Sequence, residues 1–463
     1  MLNVFPRIPS PQTAQALHLA EQLESLARGP VAAQRAVQGR QLAALLRHAR
    51  THAPFWRARI DEATRRGNGR LQFDALPVLT RADLQTHFEQ LRARSDELDA
   101  RAISTARTSG STGVPVAVER YAPLHEALYR AVMVLEDRWS GRDGDTVTAV
   151  VRDAPDRAPT AGETWDGHRR ATHVRNLIAH TPQALLDWLR AVRPTDLVTT
   201  PAMARRIAVL ALDDGGGPLP MQRVLTFGEV VDADTRHVVR AAFGARIVDR
   251  YTCEETGWIA LQCPRHDHLH VLSGSVLVEI VDDAGRPCRP GEVGQVLLTG
   301  LHSFAMPLLR YALGDLAEAG GPCDCGLHLP VIRRVLGRER SFLRMPDGRL
   351  RLARLTGEHW RAVAPVREYR LVQYGDGLVE AFVTAARPLS PAELDALGTM
   401  LRTTLDPGLQ IVVTPCDSLA PLARWKHIDV LRVDGPRPAT AADLARQLTR
   451  DPPPPATGTR HDP

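Results

Sequence analysis

The chain has 463 residues, 44% of them hydrophobic and 24% charged, with a formal charge of +5; this is an ordinary globular composition with room for two or three separately cored domains, and it excludes a disordered or fibrous protein. The basic residues are scattered instead of blocked, so no nucleic-acid partner is expected. No apolar run reaches the roughly 18 residues of a membrane span, and the start MLNVFPRIPSPQTAQ lacks the regions of a signal peptide, so no membrane association and a cytoplasmic location are expected.

In chain order, residues 1–100 read as helical. LHLAEQLESLA and AVQGRQLAALLRHARTHAPFW carry apolar residues three and four apart, and Thr80 is placed to cap a helix in FDALPVLTRADLQTHF. Thr108-Ser109-Gly110-Ser111-Thr112-Gly113-Val114-Pro115 follows. Its small residues let backbone N–H groups approach an anion while hydroxyls add donors. With no Lys after the last Gly it is not a Walker A loop, and taken alone it reads equally well as a surface turn. From about 145 to 300, β-rich runs (TVTAVV, DLVTT, RVLTFG, RIVDRY, SVLVEIV, GQVLLTG) alternate with amphipathic stretches such as TPQALLDWLRAV and DADTRHVVRAAFG, the pattern of an α/β domain. Beyond VLGRERSFLRMPDGR, the strands REYRLVQYG, LVEAFVTAA and QIVVTP and the helix SPAELDALGTMLRTTL predict a small α+β domain. The tail holds one short helix, TAADLARQLTR, before the Pro-rich DPPPPATGTRHDP, which predicts disorder.

Lysine occurs once, at Lys426, among 58 basic side chains, leaving 58 − 1 = 57 arginines. Arg replaces Lys on most surfaces, but not where a compact ammonium must enter a crowded site.

Together with the Ser/Thr/Gly loop, the segments FGEVV (227–231), RYTCEETG (250–257), RYALGD (310–315), GRER (337–340) and Lys426 in LARWKHIDV stand in an order that resembles the adenylate-forming (acyl-adenylate) superfamily. Within it the chain is most similar to the phenylacetate-CoA ligase-like branch that includes capsule-biosynthesis and coenzyme-F synthetase relatives. The resemblance runs from LLRHARTHAPFWRARI, near residue 45, to the strand after Lys426. It implies an α/β protein with a large multi-sheet N-terminal domain (1–337, of which 1–100 is a helical lead-in), a small mobile α+β C-terminal lid (338–434) and a largely disordered tail (435–463).

The resemblance also implies roles. Tyr251 stacks on adenine, Glu255 ligates the Mg²⁺ that bridges ATP phosphates, and Gly228 and Glu229 lie against the nucleotide. Asp315 accepts from both ribose hydroxyls, and Arg338 brings a rigid donor fork to phosphate or ribose. Lys426 is carried in by the small domain to stabilise charge as a carboxylate attacks the α-phosphate. The family's two acidic hinge positions are Arg340 and Ser341 here, and its Gly before the lysine is Trp425. Cys253 reads as a small packed residue, with no base beside it in sequence.

Six cysteines, clustered in places, are too few for a disulfide framework. Cys263-Pro-Arg-His266-Asp-His268-Leu-His270 and Cys323-Asp-Cys325-Gly-Leu-His328 offer soft thiolates and imidazoles suited to tetrahedral Zn²⁺, and by resemblance the ligands are Cys263, His270, Cys323 and Cys325.

The reaction implied is ATP-dependent activation of a carboxylic acid as acyl-AMP, followed by thioester formation with coenzyme A; an amine or carrier protein is left open as acceptor, and a homodimer is left open too. Two other readings stay in view: adenylylation or amide ligation of a small metabolite, and a zinc-stabilised binding protein that has lost turnover.

Overall fold

The computed structural model describes residues 9–107, 116–142, 144–163, 168–338, 342–347, 350–351, 353, 355, 357–419, 430–433 and 435–438. Contacts divide the chain into two compact units, one of residues 1–107 and 117–337, the other of residues 108–116 and 338–463.

The first unit opens with helices α1 (Pro11–Arg28), α2 (Val31–His52), α3 (Pro54–Arg66), α4 (Arg81–Thr86) and α5 (Phe88–Leu91). Thr80 caps α4 as expected, in a reciprocal box with Asp83 that satisfies two backbone donors at once. A hairpin of β1 (Ile103–Arg107) and β2 (Ala117–Tyr121) leads into α6 (Ala122–Trp139).

An alternating stretch then runs β3 (Thr146–Arg152), β4 (Arg157–Glu163), β5 (Arg169–Asn176), α7 (Pro182–Val192), β6 (Asp196–Thr199), α8 (Pro201–Asp213), β7 (Arg223–Phe227), α9 (Ala233–Phe243) and β8 (Arg246–Cys253). Strands β9 (Gly257–Gln262), β10 (Leu269–Val271), β11 (Val276–Val281), β12 (Val293–Gly300), β13 (Tyr311–Ala319) and β14 (Val331–Arg338) complete the unit.

Twelve of these strands join in the order β11-β12-β13-β14-β10-β9-β8-β7-β6-β3-β5-β4. Strands β5, β3, β6, β7 and β8 are mutually parallel, and helices α7, α8 and α9 bury Leu186, Leu189, Ile207, Ala208 and Val239 against their apolar faces. Such strands need helical cover, which explains the short apolar runs within β3, β6, β7 and β8. The pairs β8–β9, β9–β10, β10–β14, β11–β12 and β12–β13 are antiparallel.

The N-terminal helices determine where β13 sits. Trp56 Nε1 donates to Pro307 O at 2.8 Å, His48 Nε2 lies 2.9 Å from Phe304 O, and Ala93 N donates to Ala305 O. Arg310, with a left-handed φ of 50°, is only 5% exposed. Its guanidinium donates to Asp74 O and Leu76 O and pairs with Glu279 at 3.1 Å, while Leu79 and Tyr311 form a β-bridge. A non-glycine residue held at positive φ costs on the order of 1 kcal/mol, so these bonds must outweigh it. Arg310→Met should therefore destabilise the fold by about 3 kcal/mol, since two carbonyls and a carboxylate lose their donor. Urea unfolding measures this, and a change below about 1 kcal/mol, the range of a solvent-exposed pair, would contradict it.

The second unit contains a hairpin of β15 (Leu343–Arg344) and β16 (Leu350–Arg351), a short α10 (Gly357–Arg361), β17 (Val366–Tyr374), β18 (Val379–Ala385), α11 (Pro391–Thr404), β19 (Ile411–Pro415) and β20 (Val430–Val433). Its four-stranded sheet has the order β19-β18-β17-β20. Leu397 and Leu401 of α11 pack in one core with Leu371, Val379, Ala381 and Val430 of the sheet, and Ser390 and Glu393 form a capping box at the start of α11. Buried Glu380 accepts from Tyr374, Thr414 and Arg437, which ties the segment after β20 to the sheet.

Candidate active site

Strand β8 ends in the turn Glu254–Thr256, and β13 carries Tyr311 and Asp315 four residues apart. A bulge interrupts β13 between them, with Gly314 at φ 78°, and both side chains are buried. Tyr251 Oη donates to Asp315 Oδ2 at 2.8 Å, and Tyr311 Oη donates to Glu255 Oε1 at 3.2 Å. Each pair takes one residue from the β8 end and one from β13. In strand order β14, β10 and β9 intervene, and a flat sheet would separate β8 from β13 by roughly 19 Å. The sheet must therefore curl on itself, and the curl brings together two motifs that are remote in sequence.

All four side chains are buried, Glu255 to 5% exposure. Burial, and then the Glu255 charge, push the Tyr311 hydroxyl well above its usual pKa, so it remains a proton donor to that carboxylate. Tyr251 has its ring rotation pinned by the bond to Asp315. A carboxylate has several acceptor sites, so accepting from Tyr251 is compatible with accepting from ribose hydroxyls. Cys253 is a half-buried thiol hydrogen-bonded with Thr256, and desolvation pushes it up to about 12, so little of it is thiolate at neutral pH.

Gly228 takes φ 80° immediately after β7, a left-handed turn that suits glycine. The turn carries the Glu229 carboxylate back to the start of α8, where it accepts from Ala202 N at 3.0 Å, an anion at a helix N-terminus. Sequence reasoning gave Glu229 to the nucleotide and did not foresee this cap. Arg338 is the last residue of β14 and follows Gly337, whose φ is 97°. Thr108, Ser109, Gly110, Ser111, Thr112, Gly113, Arg340, Ser341, Trp425 and Lys426 lie outside the described residues.

Beside Glu255 a small cleft, partly open to solvent, lies between α6 and the strands that follow; Arg120, His125, Trp258, Ser275 and His302 are among its lining residues. Helix α6 is held there by Glu136, which takes a bidentate pair from Arg250 at 2.5 Å. Burial, and then the Arg120 charge, hold His125 below its usual pKa. Gly257, at φ 86°, lets that imidazole approach closely, since a Cβ there would meet His125 Cε1 at 3.0 Å.

Just past the end of β9, Cys263, His268, His270 and Cys323 offer ligand atoms all within 4.8 Å of one another, a group that has His268 in place of the expected Cys325. The Cys263–Cys323 Sγ distance is 3.8 Å and Cys325 Sγ lies 3.2 Å from His270 Nε2. Tetrahedral Zn–S bonds of about 2.3 Å require sulfurs about 3.8 Å apart. Burial lowers His270 to about 4, leaving the neutral imidazole a metal needs, while the buried His268 Nε2 has no hydrogen-bond partner. The donor set therefore fits zinc. His268, absent from the set that the resemblance implies, joins the cluster because alternate residues of a strand-like segment can converge on one side.

Residues 31–306 match the family described as AMP-binding enzyme. The chain belongs to that family. It is 26% identical over 339 residues to a phenylacetate-coenzyme A ligase of Thermus thermophilus, spanning 70% of this chain and 73% of that protein. Among solved structures it is similar to 2-hydroxyisobutyryl-CoA ligase in the postadenylation state with 2-HIB-AMP, with a TM-score of 0.67 at 17% identity over 92% of this chain and 94% of the other. The same ligase in the thioesterification state with 2-HIB-AMP and CoA gives a TM-score of 0.55 at 19% identity over the same shares. At these identities the structural likeness concerns the fold. No helix among the described residues is long and apolar enough to cross a membrane.

Proposed function

We propose that this protein activates a carboxylic acid with ATP, forming an acyl-adenylate and pyrophosphate, and then transfers the acyl group to coenzyme A. The observation that carries the reading is the pair of crossed Tyr–carboxylate bonds, Tyr251–Asp315 and Tyr311–Glu255, which join two adenylate-forming motifs in one buried site. Family membership and the names of the relatives point the same way.

In this scheme Tyr251 stacks on adenine with its ring held by Asp315, and Asp315 also takes the ribose hydroxyls. Glu255, oriented by Tyr311, holds a Mg²⁺ whose charge offsets that of the ATP phosphates. The Ser/Thr/Gly loop 108–113 presents N–H and hydroxyl donors to the phosphates, with Gly228, Glu229 and Arg338 around the nucleotide. A carboxylate oxygen of the acid attacks the α-phosphorus, the bond to the β-phosphate breaks, and Lys426 stabilises the charge that builds on the transferring oxygens. The coenzyme A thiol, losing its proton, then attacks the acyl carbon and AMP leaves. The unit from Arg338 to Asp434 serves as the lid that brings Lys426 in, and the protein works in the cytoplasm on freely diffusing acids. Acid-dependent ATP–pyrophosphate exchange tests the first half-reaction, and mass spectrometry of the products separates a CoA thioester from an amide or a retained AMP.

Zinc at Cys263, His268 or His270, Cys323 and Cys325 is a structural element in this account, closed by protein ligands and joining the β9–β10 turn to the 323–328 loop. Metal analysis should find about one zinc per chain, and a strong chelator should lower the thermal midpoint because metal binding is coupled to folding. Cys323→Ser should do the same. Metal-free protein with an unchanged midpoint would contradict this.

A further inference from the structure

The cleft beside Glu255 has a volume of about 50 Å³, whereas a closed apolar cavity of about 150 Å³ is what takes up one benzene molecule. A phenyl ring does not fit it as it stands. Leu124, Leu128 and Val132 of α6 form one wall and Trp258, near the start of β9, forms another, so the size of an occupant depends on whether those walls can give way.

Trp258 is 7% exposed, and its ring is held from several directions. Tyr129 of α6 lies against it with ring centroids 5.6 Å apart, and the guanidinium carbon of Arg250 stands 5.3 Å from the ring centroid, within cation–π range. Arg250 is in turn fixed by its bidentate pair with Glu136, a carboxylate only 3% exposed. Val132, Leu135, Trp139 and Leu261 share a core with the indole. Swinging the ring aside would forfeit the cation–π contact, roughly 1–2 kcal/mol, and leave a void in that core, which adds a further cost. The wall is therefore rigid.

We propose that the cleft receives the carbon chain of the acid and that Trp258 restricts the substrates to short-chain carboxylic acids, about two to four carbons long, with acids carrying a phenyl ring excluded. The inference rests on the acid-activating function proposed above: Glu255 lines the cleft, and in that function it holds Mg²⁺ beside the reacting carboxylate, so the chain behind the carboxylate enters this space. Trp258 acts through size alone.

A panel of acids tests it: acetate, propionate and butyrate against hexanoate, benzoate and phenylacetate, each measured by ATP–pyrophosphate exchange with the intact protein, ATP and Mg²⁺. The best short acid should exceed phenylacetate in kcat/KM by at least about tenfold, the discrimination a pocket of fixed shape enforces. Trp258→Ala removes the wall and leaves a cavity that a phenyl ring can fill, so it should lower KM for phenylacetate and reverse the ratio. Tyr129→Ala, at a position 45% exposed, should shift the ratio the same way by less. A merely structural Trp258 would lower the rates with all acids alike. Phenylacetate, benzoate or hexanoate used as well as the short acids by the unaltered protein, or a ratio unmoved in folded Trp258→Ala, would overturn the proposal while leaving acid activation standing; the unaltered protein decides the matter even if that variant fails to fold. Exchange and acyl-AMP formation failing with every acid would overturn the functional reading itself, and this inference with it.

Discussion

Lys426→Ala is expected to lower acid-dependent ATP–pyrophosphate exchange by about 10²-fold or more, the scale seen when one preorganised donor to a developing charge is removed. The expectation starts from composition: one lysine stands among 57 arginines, in the segment that the adenylate-forming resemblance assigns to catalysis. An ammonium is a compact charge on a flexible stem, whereas guanidinium is a wide planar fork, so Lys426→Arg should recover little of the loss. Circular dichroism and the thermal midpoint should be unchanged in both variants. Near-normal exchange in Lys426→Ala would remove the residue from the chemistry.

Glu255→Gln should produce the second large effect, a fall of about 10²-fold in kcat with a raised requirement for Mg²⁺. The substitution keeps the shape and can keep the bond from Tyr311, 3.2 Å away, but takes away the charge that a hard divalent cation needs. Tyr311→Phe separates holding from positioning: the carboxylate remains and only its donor is lost, so the rate should fall much less and the Mg²⁺ requirement shift slightly. If Glu255→Gln left the metal dependence as it was, Glu255 would be a packed structural carboxylate.

Much of the parallel sheet was legible because strands covered on both faces, such as β7 and β8, write themselves as short apolar runs between amphipathic helices. Strands β4 and β5 were not, since RAPTAGE and RRATHVRN carry polar residues and β4 lies at the edge of the sheet, where little apolar surface needs cover. The motif residues Tyr251, Glu255 and Asp315 were readable one by one. Their pairing was not, because it depends on a curl of the sheet, and on a bulge in β13 between Tyr311 and Asp315, that spacing along the chain does not encode; Tyr311 was visible only as a member of RYALGD. Glu229 shows the opposite limit, for its bond to Ala202 N crosses 27 residues and no local pattern announces it. The cleft is assembled from α6, β9 and the segments near Ser275 and His302, which only the fold brings together.

Acid activation of this kind bonds an oxygen of the acid to the α-phosphorus of ATP. Supplying a turned-over acid labelled with ¹⁸O in its carboxylate, with ATP, Mg²⁺ and coenzyme A, tests this directly, because thiol attack at the acyl carbon leaves that oxygen on phosphorus. Mass spectrometry should find one ¹⁸O in the AMP released per thioester formed. Unlabelled AMP, or ADP and phosphate in place of AMP and pyrophosphate, would contradict the account.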